Sequence, residues 1–496
     1  MKNLYLFILF YCLLSCTSKD SRIQEIEKWL SMHENHYSHC IIIPGAGCDG
    51  CISGAEYFVI ENYQRANVLY IFTKIESIKL LKYKLGNDIV NAPNVLFDAD
   101  NKFDKNENDQ NAIYPAIYNI KNNKVTGVNY VSPQNGMAIE DLKAQLKKEP
   151  MFKVDLKSYI ENESSDKKIK LSDITDSISY IPLKTTYNLP VAEIQTIKTT
   201  EKFILCLDTQ QKLFCFNHNG DFITLIGKRG EGPEEYLNIA DFDVDASKEE
   251  VYLFDFQRHF ILIYSMDGNF VRRIKLPDNI LNIAKYYNSQ FIAYAPRYLG
   301  NENDGLIFFS DNGEKKDSLS FQPEDNVSDT KIDIFKMATF NFQDLFSFQL
   351  PFCDIVYALT PIGNQYKYIE LQQGKYKLPY NIGSNVESYN KNLNSSYIFE
   401  PHLHKCKNLM FINFFFKMNN YRILYDSDSN LFYTVFKGKY PTGIENDIDN
   451  KYPFWPVYIK DDWAIGIISP ADSEYDNPVL QKIKIHKHKA EFRKTS

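Results

Sequence analysis

The feature that most constrains the fold of this 496-residue sequence is a strand–turn–strand unit that recurs about every 45 residues. Four copies are visible, at residues 203–222, 251–270, 306–313 and 421–430. Each copy places two apolar strands on either side of a turn built from Asn, Asp and Gly, residues that accept turn conformations at low cost. Repeats of this length with about four short strands are typical of β-propeller blades. Residues 150–490 are therefore predicted to form an all-β propeller, followed by a tail at 491–496.

The preceding part of the chain has a different pattern, in which strands alternate with helices. Strands are predicted at 41–43, 68–72, 95–97, 116–120 and 125–130, and helices at 22–35, 52–63, 75–85 and 138–148. The last two strands are joined by a four-residue turn and form a hairpin. Alternation of this kind predicts an α/β sandwich over residues 36–149.

One cysteine pair in this α/β region has a spacing with chemical meaning. Cys48-Asp49-Gly50-Cys51 lies between a buried strand and the helix predicted at 52–63. Two intervening residues at a helix start put both sulfurs within disulfide reach, and the helix N-terminus favours a thiolate. Cys48 is then the nucleophile and Cys51 the resolving cysteine in exchange through a mixed disulfide.

The order of elements around this pair resembles the thioredoxin fold, over roughly residues 36–149. The resemblance implies a thiol–disulfide oxidoreductase that acts on protein thiols or disulfides and uses no cofactor or metal. Tyr114-Pro115 stands where thioredoxin-like proteins keep a cis-proline, so the resemblance implies that Pro115 shapes the groove where the substrate docks. This sequence departs from the family at Gly47, where an aromatic residue is usual, and at Gly50, where Pro is usual.

Other roles for the cysteine pair stay open. Asp49 places a carboxylate beside Cys48 and opposes thiolate formation, so the pair also fits a static structural disulfide. A zinc site would need two more ligands, for which His36, His39 and Cys40 are nearby in sequence. The remaining cysteines of the exported chain are interpreted as inert core thiols: Cys40, Cys206, Cys215, Cys353 and Cys406.

The segment Ile226–Tyr236, between the first two repeats, reads IGKRGEGPEEY. It resembles the inter-blade signature of six-bladed β-propeller lipoproteins of gut-type Gram-negative bacteria, with Glu234 where Gly is usual. The expected number of six blades rests on this resemblance. The glycines from Gly227 to Gly232 do not have the spacing of a phosphate-binding loop, so the segment is interpreted as a blade connector.

The N-terminus predicts export. Lys2 precedes an apolar run, Leu4 to Leu14, that is too short to span a bilayer and fits a signal peptide at residues 1–15. The run ends Leu-Leu-Ser-Cys, which resembles the lipobox of bacterial lipoproteins and implies lipidation of Cys16. Residues 16–35 are then a membrane tether and short helix, and Ser18 favours the outer membrane by the same resemblance. An ordinary secretory signal with an incidental cysteine is the alternative.

Two functions follow from this multidomain prediction. The first is a lipid-anchored thiol–disulfide oxidoreductase in which the propeller holds the substrate. The alternative is a non-enzymatic binding lipoprotein whose propeller recognises a peptide, glycan or protein partner. The net charge of -7 gives no reason to expect a nucleic-acid partner. His402, His404 and Cys406 alternate along one strand and are interpreted as polar residues of an edge strand rather than as metal ligands.

Overall fold

The computed structural model describes residues 21–33, 37–63, 65, 67–104, 110–148, 150–162, 168–287, 290–296, 304–321, 336–342, 345–359, 365–383, 385–472 and 476–486. The predicted signal peptide, Cys16 and the tail at 491–496 lie outside the described residues. The chain divides into two compact units: one comprises residues 1–152 with 428–430, and the other comprises 153–427 with 431–496. No described helix combines the length and the apolar character that crossing a membrane requires.

The first unit is built on one mixed five-stranded sheet with the order β3-β2-β1-β4-β5. Its elements are α1 Ser21–Met32, β1 His39–Pro44, α2 Asp49–Asn62, β2 Val68–Thr73, α3 Ile78–Leu85, α4 Asn87–Val90, β3 Val95–Phe97, β4 Ala116–Lys121, β5 Lys124–Tyr130 and α5 Ala138–Lys148. β1 is parallel to β2 and antiparallel to β4, which forms a hairpin with β5. Each strand and helix predicted in this region is present, with ends that differ by at most three residues.

Both faces of this sheet are covered because successive strand residues point to opposite sides. Ile41 and Ile43 of β1 pack into a buried cluster with residues of α2 and α5. Cys40 and Ile42 face the other way and pack with Ile26 of α1. The alternation of apolar residues along β1 therefore accounts for helices on both sides.

The second unit begins within β6 Phe152–Val154 and continues with α6 Leu156–Asn162 and β7 Ile178–Pro182. Three four-stranded sheets follow, each with its strands in chain order. They comprise β8 Ile194–Thr199, β9 Phe203–Asp208, β10 Leu213–Asn217 and β11 Phe222–Leu225; β12 Ile239–Asp245, β13 Glu250–Asp255, β14 Phe260–Ser265 and β15 Phe270–Lys275; and β16 Asn282–Lys285, β17 Phe291–Ala295, β18 Asp304–Phe309 and β19 Lys315–Phe321.

Three further sheets complete the unit. They comprise β20 Ala338–Phe342, β21 Leu345–Gln349, β22 Ile355–Leu359 and β23 Gln365–Leu371; β24 Ile398–Cys406, β25 Leu409–Phe416, β26 Asn419–Asp426 and β27 Leu431–Gly438; and β28 Tyr458–Lys460, β29 Trp463–Ile468 and β30 Val479–Lys484. β6 adds a fifth strand beside β23. Two short helices, α7 Tyr380–Gly383 and α8 Val386–Asn392, interrupt the chain between β23 and β24.

These six sheets of the described chain are the blades of a six-bladed β-propeller. The ring is closed by β7, which comes from the N-terminal end of the unit and pairs with β30 to supply the fourth strand of the last blade. Buried apolar residues join neighbouring blades, as where Ile181 of β7 packs with Phe214 of the first blade. The predicted propeller is confirmed, and the strands of the recognised repeats are the second, third and fourth strands of their blades.

The expected cis bond before Pro115 is a wrong prediction: every peptide bond in the described ranges is trans. Trans is the default for an X–Pro bond by about 0.5–1 kcal/mol unless tertiary contacts hold the other isomer. In this loop the trans backbone is already hydrogen-bonded. The N–H of Val131 donates to the carbonyl oxygen of Pro115 at 2.8 Å, and that of Tyr114 donates to Asn111 at 3.0 Å.

Candidate functional site

The predicted cysteine pair lies where strand β1 gives way to helix α2. Cys48 is the N-cap of the helix, Cys51 lies in its first turn, and the two sulfurs form a disulfide with the Cα atoms 5.3 Å apart. Both residues are half-buried, whereas Asp49 and Gly50 between them are exposed. The helix N-terminus therefore presents the disulfide near solvent, in a position that favours negative charge.

The loop that contains Pro115 lies beside this pair. The N–H of Cys48 donates to the carbonyl oxygen of Ile113 at 3.0 Å. Gly47 has φ 149°, and a Cβ atom there would lie 2.2 Å from the same carbonyl oxygen. This contact leaves no room for the aromatic residue that is usual before the first cysteine.

The other cysteines differ in their exposure. Cys40, Cys206, Cys215 and Cys406 are buried, and burial raises the pKa of each thiol, to about 12 for Cys215 and Cys406. They match the interpretation as inert core thiols. Cys353 does not, because it is half-buried in the turn between β21 and β22 and lines a cavity.

That cavity lies at one end of the propeller, between the fourth and fifth blades. Neighbouring strands of an antiparallel blade run in opposite directions. The first and third strands therefore start at the same end of the propeller at which the second and fourth strands finish. The cavity occupies about 360 Å³ there, at the low end of the range for small-molecule sites. Its apolar walls are Ala338, Leu350, Pro351, Phe352, Leu378, Ile398 and Pro401. Its polar lining is Lys336, Gln349, Cys353, Gln373, Lys377, Glu400 and His402.

Gln349, the last residue of β21, is the most distinctive polar group of the cavity. Its side chain is 5% exposed, and its Nε2 donates to the carbonyl oxygen of Cys353 at 2.8 Å. Its Oε1 has no hydrogen-bond partner among the described residues. A buried amide oxygen of this kind costs about 1–3 kcal/mol if it stays unsatisfied, so it is a ready acceptor for a ligand.

The charged side chains of the cavity differ in their interaction partners. Lys377 pairs with Asp354 at 3.2 Å, and Glu400 accepts a hydrogen bond from the hydroxyl of Tyr389 at 2.6 Å. The ammonium of Lys336 donates to the backbone carbonyl oxygen of Ala240, which belongs to the second blade. No carboxylate of the described residues lies within ion-pair distance of it.

The first strands of the early blades carry a second polar cluster, close to Lys336. Lys198 pairs with Asp243 at 3.4 Å, and the Nδ2 of Asn282 donates to Asp241 at 3.2 Å. Burial raises the pKa of Asp241, an effect that Lys336 and Lys198 only partly offset. The pKa of Lys198 is also raised, because the attraction of Asp243 and Asp241 outweighs the opposing effect of burial. Asp241 is therefore attracted by two lysines, Lys336 and Lys198.

The alternating histidines lie on β24, which pairs within its blade only with β25, as the edge-strand interpretation requires. The ring of His404 meets that of Phe340 edge-on at a centroid distance of 6.1 Å. Burial, and secondarily His402, lowers the pKa of His404 to about 4. The described residues contain no group of three or more His, Cys, Asp or Glu side chains arranged to hold a metal ion.

Sequence reasoning missed this cavity because its residues belong to no motif. The predicted blade connector, in contrast, is confirmed: Ile226–Tyr236 joins β11 of the first blade to β12 of the second. Its fold is held by side chains, as where Arg258 donates to the carbonyl oxygen of Gly232 at 3.1 Å. For the cavity, one local signal was present in the sequence: Pro351, directly after Leu350, indicates that a strand ends near Gln349.

The family model for the domain of unknown function DUF4934 matches residues 151–491, which is more than two thirds of the chain. The chain belongs to the DUF4934 family. The matched residues coincide with the propeller and its cavity, whereas the disulfide lies outside the match. A comparison with curated proteins found no match.

Two solved structures from Bacteroides are similar to this DUF4934 protein. One is a protein of Bacteroides fragilis NCTC 9343 that is described as a candidate exported protein; it is 17% identical, with a TM-score of 0.50, over 68% of this chain and 99% of that one. The other is a member of the DUF4221 family from Bacteroides vulgatus ATCC 8482, 10% identical with a TM-score of 0.41, over 63% and 97% of the two chains. At these identities the first likeness supports the fold alone.

Proposed function

We propose that this DUF4934 protein is an exported, lipid-anchored binding protein whose propeller holds a small peptide or glycan ligand. The observation that carries the proposal is the cavity between the fourth and fifth blades. It combines apolar walls with a few polar groups, as ligand sites commonly do, and the buried Oε1 atom of Gln349 has no hydrogen-bond partner among the described residues.

A cavity-filling substitution tests this function. Ala338 lies on β20 in the cavity wall, and Ala338→Trp would occupy the space that a ligand needs. Pools of short peptides and of oligosaccharides are screened against the full chain by the rise in unfolding temperature that binding produces. We expect a pool component to stabilise the wild type and not Ala338→Trp. Thr339→Trp, on the opposite face of the strand, is the matched control and should keep the response.

Export and anchoring are supported by the N-terminal sequence, and the name of the Bacteroides fragilis protein agrees with export. Lipid on Cys16 would hold the chain on a membrane, and Ser18 favours the outer membrane. Growth with a labelled fatty acid tests the anchor: label should enter the wild type and be absent from Cys16→Ser. Equal labelling of the wild type and of Cys16→Ser would show that Cys16 is not the lipidated residue, and would contradict the proposed anchor.

Thiol–disulfide exchange by a thioredoxin-like first unit is a second candidate function. It is favoured by a half-exposed disulfide at the start of α2, with the loop of Pro115 nearby. The trans bond before Pro115 and the exposed carboxylate of Asp49 count against it. Because these observations conflict, the binding function is preferred.

The midpoint potential of the Cys48–Cys51 pair decides this second candidate. Exchange requires that a dithiol such as dithiothreitol reduce the pair, and that the reduced chain then reduce a model disulfide through Cys48. Cys48→Ser should abolish this reaction. A disulfide that resists dithiothreitol in the folded chain has only a structural role.

A further inference from the structure

We propose that the cavity between the fourth and fifth blades recognises the C-terminal residue of a peptide, with Lys336 meeting its carboxylate and Gln349 its amide N–H. This inference rests on the proposed binding function and narrows the ligand from two classes to one. Three features of the lining support it: an acceptor with no partner among the described residues, an exposed lysine and an apolar wall.

The unmet acceptor is the Oε1 atom of Gln349. The orientation of this amide is fixed by chemistry, because the carbonyl oxygen of Cys353 can only accept and must therefore face the Nε2 atom. Oε1 is left in a buried position with no partner among the described residues. The group that satisfies it must be a donor, and the backbone N–H of a terminal residue is one.

The positive charge is the ammonium of Lys336, an exposed side chain. Lys377, the cavity's other lysine, has an ion-pair partner in Asp354, whereas Lys336 is exposed, donates to the carbonyl oxygen of Ala240 and has no carboxylate of the described residues within ion-pair distance. The carboxylate of Glu400 is also exposed, and it accepts a hydrogen bond from Tyr389. The buried carboxylate of Asp241 attracts the ammonium of Lys336 from beyond ion-pair distance. An anionic ligand group would give Lys336 a direct partner.

The third feature is the apolar wall of the cavity. Leu350, Leu378 and Ile398 are 7%, 5% and 1% exposed and form part of a surface that an apolar side chain would bury. A C-terminal residue brings a carboxylate, one amide N–H and one side chain together on a single Cα atom. A neutral glycan offers hydroxyl groups on every side and no anion, so it gives Lys336 no ionic partner and places polar groups against the wall.

Three probes of similar size distinguish the ligand classes by calorimetric titration of the full chain. They are N-acetyl-Ala-Ala-Leu with a free carboxylate, the same peptide as its C-terminal amide, and the neutral trisaccharide maltotriose. We expect the acid to bind at least tenfold more tightly than the amide. Maltotriose should show no binding at concentrations where the acid saturates the chain.

Two variants assign the contacts. Lys336→Met should weaken the binding of the peptide acid about tenfold and leave the affinity for the peptide amide unchanged, so that the chain no longer discriminates between them. Gln349→Met keeps the side-chain volume and removes the acceptor. It should weaken the binding of the peptide acid and of the peptide amide equally, by about five- to tenfold. Lys375→Met is the matched control, because Lys375 pairs with Glu161 outside the cavity, and its affinity should equal that of the wild type.

The outcomes separate this inference from the proposed function. Equal binding of acid and amide, or binding of maltotriose alone, overturns the C-terminal assignment and leaves a binding propeller in place. An affinity for the acid that survives both Lys336→Met and Gln349→Met also overturns it. If neither these probes nor any component of the screened pools binds, both the inference and the proposed function fail.

Discussion

Gly220 packs so closely against Pro182 that a Cβ atom at position 220 would lie 2.2 Å from the carbonyl oxygen of Pro182. Pro182 ends β7, the strand that closes the ring, and Gly220 turns the chain between the third and fourth strands of the first blade. The contact recurs around the propeller. Gly268 approaches the carbonyl oxygen of Leu225 in the same way, and Gly313 approaches the side chain of Ile274. A turn glycine therefore packs against the fourth strand of the preceding blade in three successive blades.

This contact predicts the effect of Gly220→Ala. The residue has φ 79°, so the added methyl group meets both backbone strain and the carbonyl oxygen of Pro182. We expect a loss of about 1–3 kcal/mol in the unfolding free energy of the propeller, measured by urea unfolding. Asn219→Ala changes the exposed neighbour in the same turn and should cost less than about 0.5 kcal/mol. Equal effects of the two substitutions would contradict the packing argument.

The turns were predictable because their chemistry is local. The side chain of Asn217 accepts from the N–H groups of Asn219 and Asp221 at 2.9 and 3.0 Å, within five residues of chain. Each hairpin therefore carries its own signal. The sixth blade could not be completed from such signals, because its fourth strand, β7, comes from about 300 residues earlier in the chain.

The helices α7 and α8 were missed for a related reason. They are short, and Pro379 and Gly383 break the periodicity that identifies a helix. One local signal was present, since Asn385 caps α8 by accepting from the N–H of Ser388 at 2.9 Å. The cavity itself was not predictable, because Gln349 of the fourth blade and Ile398 of the fifth blade line the same space only through the packing of neighbouring blades.

A second prediction concerns the two glycines around the disulfide. Gly47→Ala places a methyl group against the carbonyl oxygen of Ile113 at a positive φ, and should destabilise the first unit by about 1–3 kcal/mol. Gly50→Ala meets nothing within 4 Å, lies in the first turn of α2, and should stabilise it by about 0.5–1 kcal/mol. Hydrogen exchange of peptides from residues 39–63 measures both. Stabilisation by Gly47→Ala would show that the loop of Ile113 yields easily.

A third prediction follows from the lowered pKa of His404. With a folded-state pKa of about 4 and an ordinary value near 6.5 when unfolded, the unfolded chain binds the proton first as the pH falls. His404 therefore makes the propeller lose stability between about pH 6.5 and pH 4, and contributes no such loss above pH 7. His404→Gln should flatten the dependence of the unfolding free energy on pH in that window. Identical slopes for the variant and the wild type would mean that His404 is solvated like an exposed histidine.

A fourth prediction concerns the closure of the ring. Ile181 of β7 is buried against Leu480 and Ile465 of the last blade. Ile181→Ala should cost about 2–5 kcal/mol and lower the unfolding temperature of the whole propeller. Ile223→Ala, at an exposed position on the fourth strand of the first blade, is the control and should have a much smaller effect. A local change without loss of global stability would indicate that the blades do not unfold together.

The most direct test of the central claim, that the cavity is a ligand site, uses the thiol of Cys353 in its wall. N-ethylmaleimide should alkylate Cys353 in the folded chain while the buried Cys406 stays unmodified, as peptide mass mapping can verify. The account predicts that the pool component that stabilises the wild type slows this alkylation, and that the alkylated chain no longer binds it. Undiminished binding by a chain fully alkylated at Cys353, with no protection by the ligand, would contradict the account.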